Sequence, residues 1–126
     1  MDSSEFTDLM RAIERAWSTG DAAAAAACFT EDAVYVEPPD RQRYAGRHEL
    51  FELSGGNDPS PMSMTWHNLV FDPVQQVGAG EYTFRGRRQF HGMAIVHVEG
   101  DKIRRWREYQ YESHADWADF VGDSHF

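Results

Sequence analysis

GEYTFRGRRQFHGMAIVHVEGDKIRRWREYQY, running from Gly80 to Tyr111, settles the architecture of this chain. It reads as three consecutive antiparallel strands. Arg85-Gly86-Arg87 breaks the first pair and Glu99-Gly100-Asp101-Lys102 breaks the second. Glycine in such short polar breaks supplies the positive φ that a hairpin turn needs. Between the turns stand Val, Ile, Phe, Tyr and Trp, residues suited to a pleated, half-buried surface. Successive side chains of a strand point to opposite faces. With His91, Met93, Ile95 and His97 on one face, the partner strand sets Trp106, Glu108 and Gln110 opposite them. A carboxylate and a histidine among aromatics, on the concave side of a curved sheet, form either a buried polar network or an active site.

Outward from this run, the N-terminal side is helical. Ser3 or Ser4 can cap a helix in which Phe6, Leu9, Met10, Ile13 and Trp17 recur at helical spacing, closed by Gly20. Asp21 can cap a second, alanine-rich helix to about Phe29. Thr30-Glu31-Asp32 breaks that helix, and Ala33–Glu37 reads as a short strand stopped by Pro38-Pro39. A polar loop (40–44), a short helix (Gly46–Leu53) and a Gly/Pro-rich loop (54–61), a candidate lid or a plain connector, follow. Met62–Phe71 reads as a strand with Trp66 and His67 on opposite faces, and after the Asp72-Pro73 turn a short strand is expected at Val74–Val77. Ser113 and Asp116 resemble a capping box for a last helix carrying Trp117, Phe120 and Val121. Helices on one face of a bent antiparallel sheet give an α+β domain shaped as a cone, and a cone has an inside.

Composition bounds the function. A chain of 126 residues, 41% hydrophobic and 13% aromatic, is expected to form a single globular domain over residues 1–126. Its longest apolar run, Ala22–Phe29, is too short to span a membrane, and a cytoplasmic protein is expected. Cys28 is the only cysteine, which excludes an internal disulfide and disfavours a structural zinc site. A net charge of −9 argues against nucleic acid as a partner. Arg85, Arg87 and Arg88 form a local basic cluster, read as a solvated hairpin turn.

Four segments carry a family resemblance: Ala16-Trp17 with Gly20-Asp21, Phe29-Thr30-Glu31-Asp32-Ala33-Val34-Tyr35, Tyr44-Ala45-Gly46-Arg47, and Gly100-Asp101-Lys102-Ile103 with Trp106-Arg107-Glu108-Tyr109. Together they resemble the SnoaL-like branch of the nuclear transport factor 2-like superfamily, over nearly the whole chain. The resemblance implies a cone-shaped, mostly antiparallel sheet with N-terminal helices across it, a cystatin-like roll. That superfamily includes ketosteroid isomerase, limonene-epoxide hydrolase, scytalone dehydratase, polyketide cyclases and non-catalytic ligand binders, so the fold does not choose the reaction.

Position by position, Glu37-Pro38 falls where ketosteroid isomerase has its proton-shuttling aspartate and proline. Ile13 and Met93 stand where the isomerase has its oxyanion pair, so that pair is not kept. Where limonene-epoxide hydrolase has an arginine and an aspartate two apart, Tyr82 and Phe84 stand here. Glu108 matches its second aspartate, and Tyr35 and Glu37 match its water-holding tyrosine and asparagine. The dehydratase's histidine pair has no match in register, and His67 and His91 are the candidates for it.

Glu37, Glu108 and His91 are therefore the candidate catalytic groups. A carboxylate against prolines and aromatics is desolvated, which lifts its pKa toward the range of a useful general base. A buried Glu108 needs a donor, which His91 or Tyr35 could supply. Tyr35, Trp17, Trp66, His67, Tyr82, Phe84, Met93 and Trp106 are the candidate substrate-binding residues, although sheet packing alone would account for most of them. No nucleophile elbow, phosphate loop or dinucleotide fingerprint is present. No metal or organic cofactor is expected. The expected function is acid–base chemistry on a small apolar molecule (isomerisation, cyclisation, dehydration or hydrolysis), or non-catalytic binding of such a ligand. The resemblance further implies a homodimer formed through the outer sheet face.

Overall fold

The computed structural model describes all residues, Met1–Phe126. Its elements are α1 (Ser3–Ser18), α2 (Ala22–Ala27), β1 (Phe29–Val36), β2 (Arg43–Ala45), α3 (Gly46–Leu53), β3 (Ser63–Asp72), β4 (Val77–Arg85), β5 (Gln89–Glu99), β6 (Lys102–Glu112) and α4 (Trp117–Val121), followed by a 3₁₀ turn at Gly122–Ser124. One six-stranded sheet runs in the order β2-β1-β6-β5-β4-β3. Only the β1–β6 pair is parallel. The α+β architecture expected from the hairpin run is the one observed.

Helix α1 is held by local chemistry at its start and by burial along its length. Asp2, rather than Ser3 or Ser4, caps it: its carboxylate accepts from the Glu5 amide at 2.8 Å, and Glu5 accepts from the Asp2 amide at 2.7 Å. Phe6, Met10, Ile13 and Trp17 form its buried stripe. The same helix also protects an edge of the sheet. β3 pairs only with β4, and on its free side Glu14 accepts from the Trp66 amide at 2.7 Å while Ser18 accepts from the Met64 amide at 3.1 Å. These side chains occupy donors that would otherwise invite another strand.

Strand β1 begins at Phe29, so Thr30-Glu31-Asp32 lie within the strand and do not form a break. At the C-terminal end, the expected capping box is absent. Ser113 Oγ accepts from the Ala115 amide, and the Asp116 side chain makes no cap bond. Of the two expected turn glycines, Gly100 takes a φ of +64°. Gly86 does not use a positive φ.

Two bulges set which side chains enter the cone. In β3 the pairing steps from Trp66↔Tyr82 to Asn68↔Glu81, leaving His67 as the extra residue. Met64 and Trp66 therefore point inward before the bulge, and Leu69 and Phe71 pack on the core after it. In β6 the pairing steps from His97↔Arg105 to Val98↔Ile103, with Arg104 extra. Ile103 and Trp106 can then both be buried although three residues apart.

The concave face of the central strands is lined with small residues, Gly78, Gly80, Gly92 and Ala94, which leave room for aromatic rings. A Cβ on Gly92 would stand 2.7 Å from the Tyr82 hydroxyl and 2.8 Å from the Tyr109 carbonyl oxygen. Gly92→Ala is expected to cost about 1–3 kcal/mol in urea unfolding, as overpacking does, and to displace the Tyr82 hydroxyl.

Candidate active site

The site is built where β1, β4 and β6 present polar groups to the inside of the cone. Glu108, on β6, is 3% exposed. Its Oε1 accepts from the Tyr35 hydroxyl at 2.7 Å. Its Oε2 accepts from the Tyr82 hydroxyl at 2.9 Å and from Trp106 Nε1 at 3.1 Å. Glu37, half-buried at the end of β1, has its Oε2 at 3.2 Å from the same Tyr35 hydroxyl. The Tyr35 O–H thus lies between two carboxyl groups, and its single hydrogen can serve only one at a time.

Burial raises the pKa of Glu108 well above the usual carboxyl range, and the neighbouring Glu37 carboxyl adds to the effect. The bonds from Tyr35 and Trp106 pull the other way. Burial likewise raises the Tyr35 and Tyr82 hydroxyls, with the charge of Glu108 next in importance. Both therefore remain donors. A proton on Glu108 Oε1 can be given to the Tyr35 oxygen while the Tyr35 hydrogen turns to Glu37. The hydroxyl in this way connects an acid to a base.

These groups open on a cavity of about 110 Å³ lined by Trp17, Tyr35, Glu37, Leu53, Met62, Met64, Tyr82, Phe84, Glu108 and Gln110. No cationic side chain lines it. Trp17 also anchors the adjoining loop, donating from Nε1 to the buried Ser54 Oγ at 2.9 Å. Trp66 and Trp106 sit behind the cavity rather than on its wall. Trp106 stacks on Tyr35 at 5.2 Å and meets Trp17 and Trp66 at 5.6 and 5.9 Å. Their rings fill the deep part of the cone and leave the carboxyl end hollow.

The expected grouping of His91 with Glu108 is corrected by the register. Ala94 pairs with Glu108 and His91 with Tyr111, which puts His91, Met93, Ile95 and His97 on the face opposite Trp106, Glu108 and Gln110. Met93 is 40% exposed on that outer face. His67 and His91 meet beneath α4. His67 stacks on Trp117 at 4.1 Å, and the Phe120 ring lies 4.4 Å from His91.

The proton order of this outer cluster follows from its acceptors. The Ala115 carbonyl, 2.8 Å from His91 Nε2, can only accept, so that nitrogen carries hydrogen. In a neutral ring Nδ1 then accepts from Thr83 Oγ1 at 2.9 Å, and Thr83 in turn accepts from His67 Nε2 at 2.6 Å. Burial, and then His91, lower the pKa of His67. The pair fastens α4 to the sheet.

Sequence reading missed Leu53, Met62 and Met64 as lining residues. The signal was weak: Leu53 stands three residues after the buried Leu50 of α3, and the two methionines alternate at the start of β3. No three or more His, Cys, Asp or Glu side chains are grouped to hold a metal ion. No helix is long and apolar enough to cross a membrane.

A family model described as SnoaL-like domain matches residues 10–106. The chain belongs to the SnoaL-like domain family. Solved structures share its fold at low identity. A candidate ketosteroid isomerase from Kribbella flavida is 18% identical, with 91% of this chain and 84% of that one covered and a TM-score of 0.75. An LEH-like epoxide hydrolase of M. tuberculosis is also 18% identical, over 86% of this chain and 84% of that one, at a TM-score of 0.72. The epoxide hydrolase/cyclase-like enzyme SalBIII, described in pyran ring formation in the polyether salinomycin, is 17% identical over 87% and 93%, at 0.77. A search of curated protein sequences returns no match. This SnoaL-like domain thus has isomerase-, hydrolase- and cyclase-type neighbours in fold, and the site has to speak for the chemistry.

Proposed function

We propose that this SnoaL-like domain is a cofactor-independent acid–base enzyme acting on a small, largely apolar molecule that carries a carbonyl, enol or epoxide oxygen. The observation that carries this reading is the Glu37–Tyr35–Glu108 arrangement on the wall of an apolar cavity. Glu108, kept protonated further up the pH scale than an ordinary carboxyl, is the general acid that protonates or polarises the substrate oxygen. Glu37, less buried, is the general base that takes a proton from carbon or from an attacking water. Tyr82 holds Glu108 in place, and Tyr35 returns the proton from base to acid after each turnover. The fold neighbours carry isomerase, epoxide hydrolase and cyclase-like descriptions, which supports the class without choosing within it.

The test is turnover of a panel of enolisable ketones and epoxides, followed by mass spectrometry and NMR. Glu37→Gln is expected to lower kcat about 10²–10⁴-fold, the usual contribution of a positioned acid or base. Wild-type kcat in both Glu37→Gln and Glu108→Gln would sink the assignment.

A second reading, stoichiometric binding without turnover, is favoured by one feature. The cavity holds two carboxyls and aromatic faces with no cationic side chain, a setting that also suits a small organic cation. A ligand bound tightly and recovered unchanged after long incubation would select this reading.

For the homodimer, the support is the uncovered part of the outer face, where Val34, Val36, Ile95 and His97 line a groove of about 390 Å³ beside the exposed Met93 and Tyr109. Sedimentation is expected to give twice the 14.4 kDa chain mass, and a monomer at working concentration would count against it.

A further inference from the structure

Outside the carboxyl cavity lies a second, larger space of about 790 Å³, with Asp58, Arg87, Arg88 and Phe90 among its lining residues. It shares Leu53, Met62 and Phe84 with the inner cavity, so the two adjoin across these side chains. We infer that this vestibule binds the anionic end of an elongated substrate, with Arg87 and Arg88 taking a carboxylate at the rim while the apolar body passes Phe84 toward the inner cavity.

The sizes suit a ligand that occupies both spaces. Small-molecule sites occupy roughly 300–1,000 Å³. The inner cavity, at about 110 Å³, holds only the reacting end of such a molecule. The remainder then lies in the vestibule, whose shared wall is apolar and whose rim carries Arg87 and Arg88.

Charge then orients the ligand. The chain carries 21 acidic and 12 basic side chains, yet this rim gathers two arginines against the single acid Asp58. Arg87 makes no ion pair. Arg88 reaches Glu112 at 3.4 Å, a loose contact between exposed groups, and its guanidinium lies 5.7 Å from the centre of the Phe90 ring. The two are adjacent on the β4–β5 turn, and guanidinium groups match a carboxylate in planar, two-bond geometry. Arg85 is not part of the rim: it bonds to Gln89 at 2.8 Å. At the other end, the inner cavity has no cationic side chain to receive an anion. A molecule with an anionic tail can enter only with its neutral end inward, which delivers the oxygen-bearing end to the acid–base pair. This inference rests on the acid–base reading of the inner cavity.

The test is titration calorimetry of the whole chain with octanoate and with octanamide, its neutral analogue of similar shape. Octanoate is expected to bind about five- to tenfold more tightly at low ionic strength, with the advantage shrinking in about 0.5 M salt. Arg87→Gln combined with Arg88→Gln should abolish the advantage and leave octanamide binding unchanged. Both residues are exposed on a turn, so folding is not at stake. Equal affinities in the wild type, an advantage that survives in the double variant, or no saturable binding of either probe would overturn the proposal. The two readings fail separately. Loss of turnover in Glu37→Gln and Glu108→Gln without any octanoate preference removes only the vestibule proposal. A preference that persists beside undiminished turnover in those variants removes only the acid–base assignment.

Discussion

Glu108→Gln is expected to lower kcat by about 10²–10⁴-fold and, at about pH 8, to raise the melting temperature. The two effects have one origin. Glu108 is a buried carboxyl with no cation to pair with, so its ionisation is disfavoured in the folded state. A carboxyl whose pKa is raised by folding contributes stability that is fully present below its unfolded value, about 4.3. That contribution is lost as the pH rises through the folded value. Glutamine cannot ionise, so it escapes this loss. It also fits the bonds already there. Its amide oxygen, in the place of Oε2, accepts from Tyr82 and Trp106. Its amide nitrogen, in the place of Oε1, donates to the Tyr35 oxygen, which turns its own hydrogen to Glu37. A gain of about 1 kcal/mol, or roughly 3–5 °C, is the expected scale at alkaline pH, a familiar exchange of activity for stability. The measurement is calorimetric melting of both proteins from about pH 4 to 9. The curves should converge at the acidic end and separate as the pH rises. A wild type that stays the more stable at the alkaline end would mean that Glu108 is ionised comfortably in the fold, and that it is not the acid.

The second large effect is structural. Trp106→Ala is expected to destabilise the fold by about 3–5 kcal/mol, enough to leave much of the protein unfolded. Trp106 is 1% exposed and packs between rings from three other elements: Trp17 on α1, Tyr35 on β1 and Trp66 on β3. Its removal opens a hole that these aromatics, each held by a hydrogen bond of its own, cannot collapse to fill. Trp17 is tied to Ser54, Tyr35 to Glu108 and Trp66 to the Met10 carbonyl. The substitution also deprives Glu108 of a donor. Trp106→Phe separates the two roles. It retains most of the packing and should cost far less stability, while removing the Nε1 bond that favours ionisation of Glu108. Chemical denaturation of both variants checks the ordering. An alanine variant as stable as the phenylalanine variant would mean that the cone is soft at its apex.

Much of this molecule is legible from the chain alone. The run from Gly80 to Tyr111 shows its three strands because β-rich segments and polar, glycine-bearing breaks are local properties. The stripe Phe6, Met10, Ile13 and Trp17 shows α1 for the same reason. Glu37, between Val36 and Pro38, and Glu108, on the same strand face as Trp106, stand out as carboxylates beside apolar groups, and the fold does bring both to the Tyr35 hydroxyl.

The facing of His91 was not legible. β5 reads apolar on both sides, Ala94, Val96 and Val98 inward and Met93 and Ile95 outward, so alternation carries no sign. Its facing is set by hydrogen-bond register with β4 and β6, and the outer burial of His91 by Trp117 and Phe120 of α4. The bulges at His67 and Arg104 likewise shift parity without a mark in the residues themselves.

Local order and the helical stripe were thus written in sequence, because each depends on neighbours within a few positions. The pairing of the two carboxyls through Tyr35, the transfer of both histidines to the far face, and the placing of Arg87 and Arg88 on a space that adjoins the cavity were decided only by tertiary structure. Each depends on how distant strands and loops meet, and on which side chains are left without water once they do.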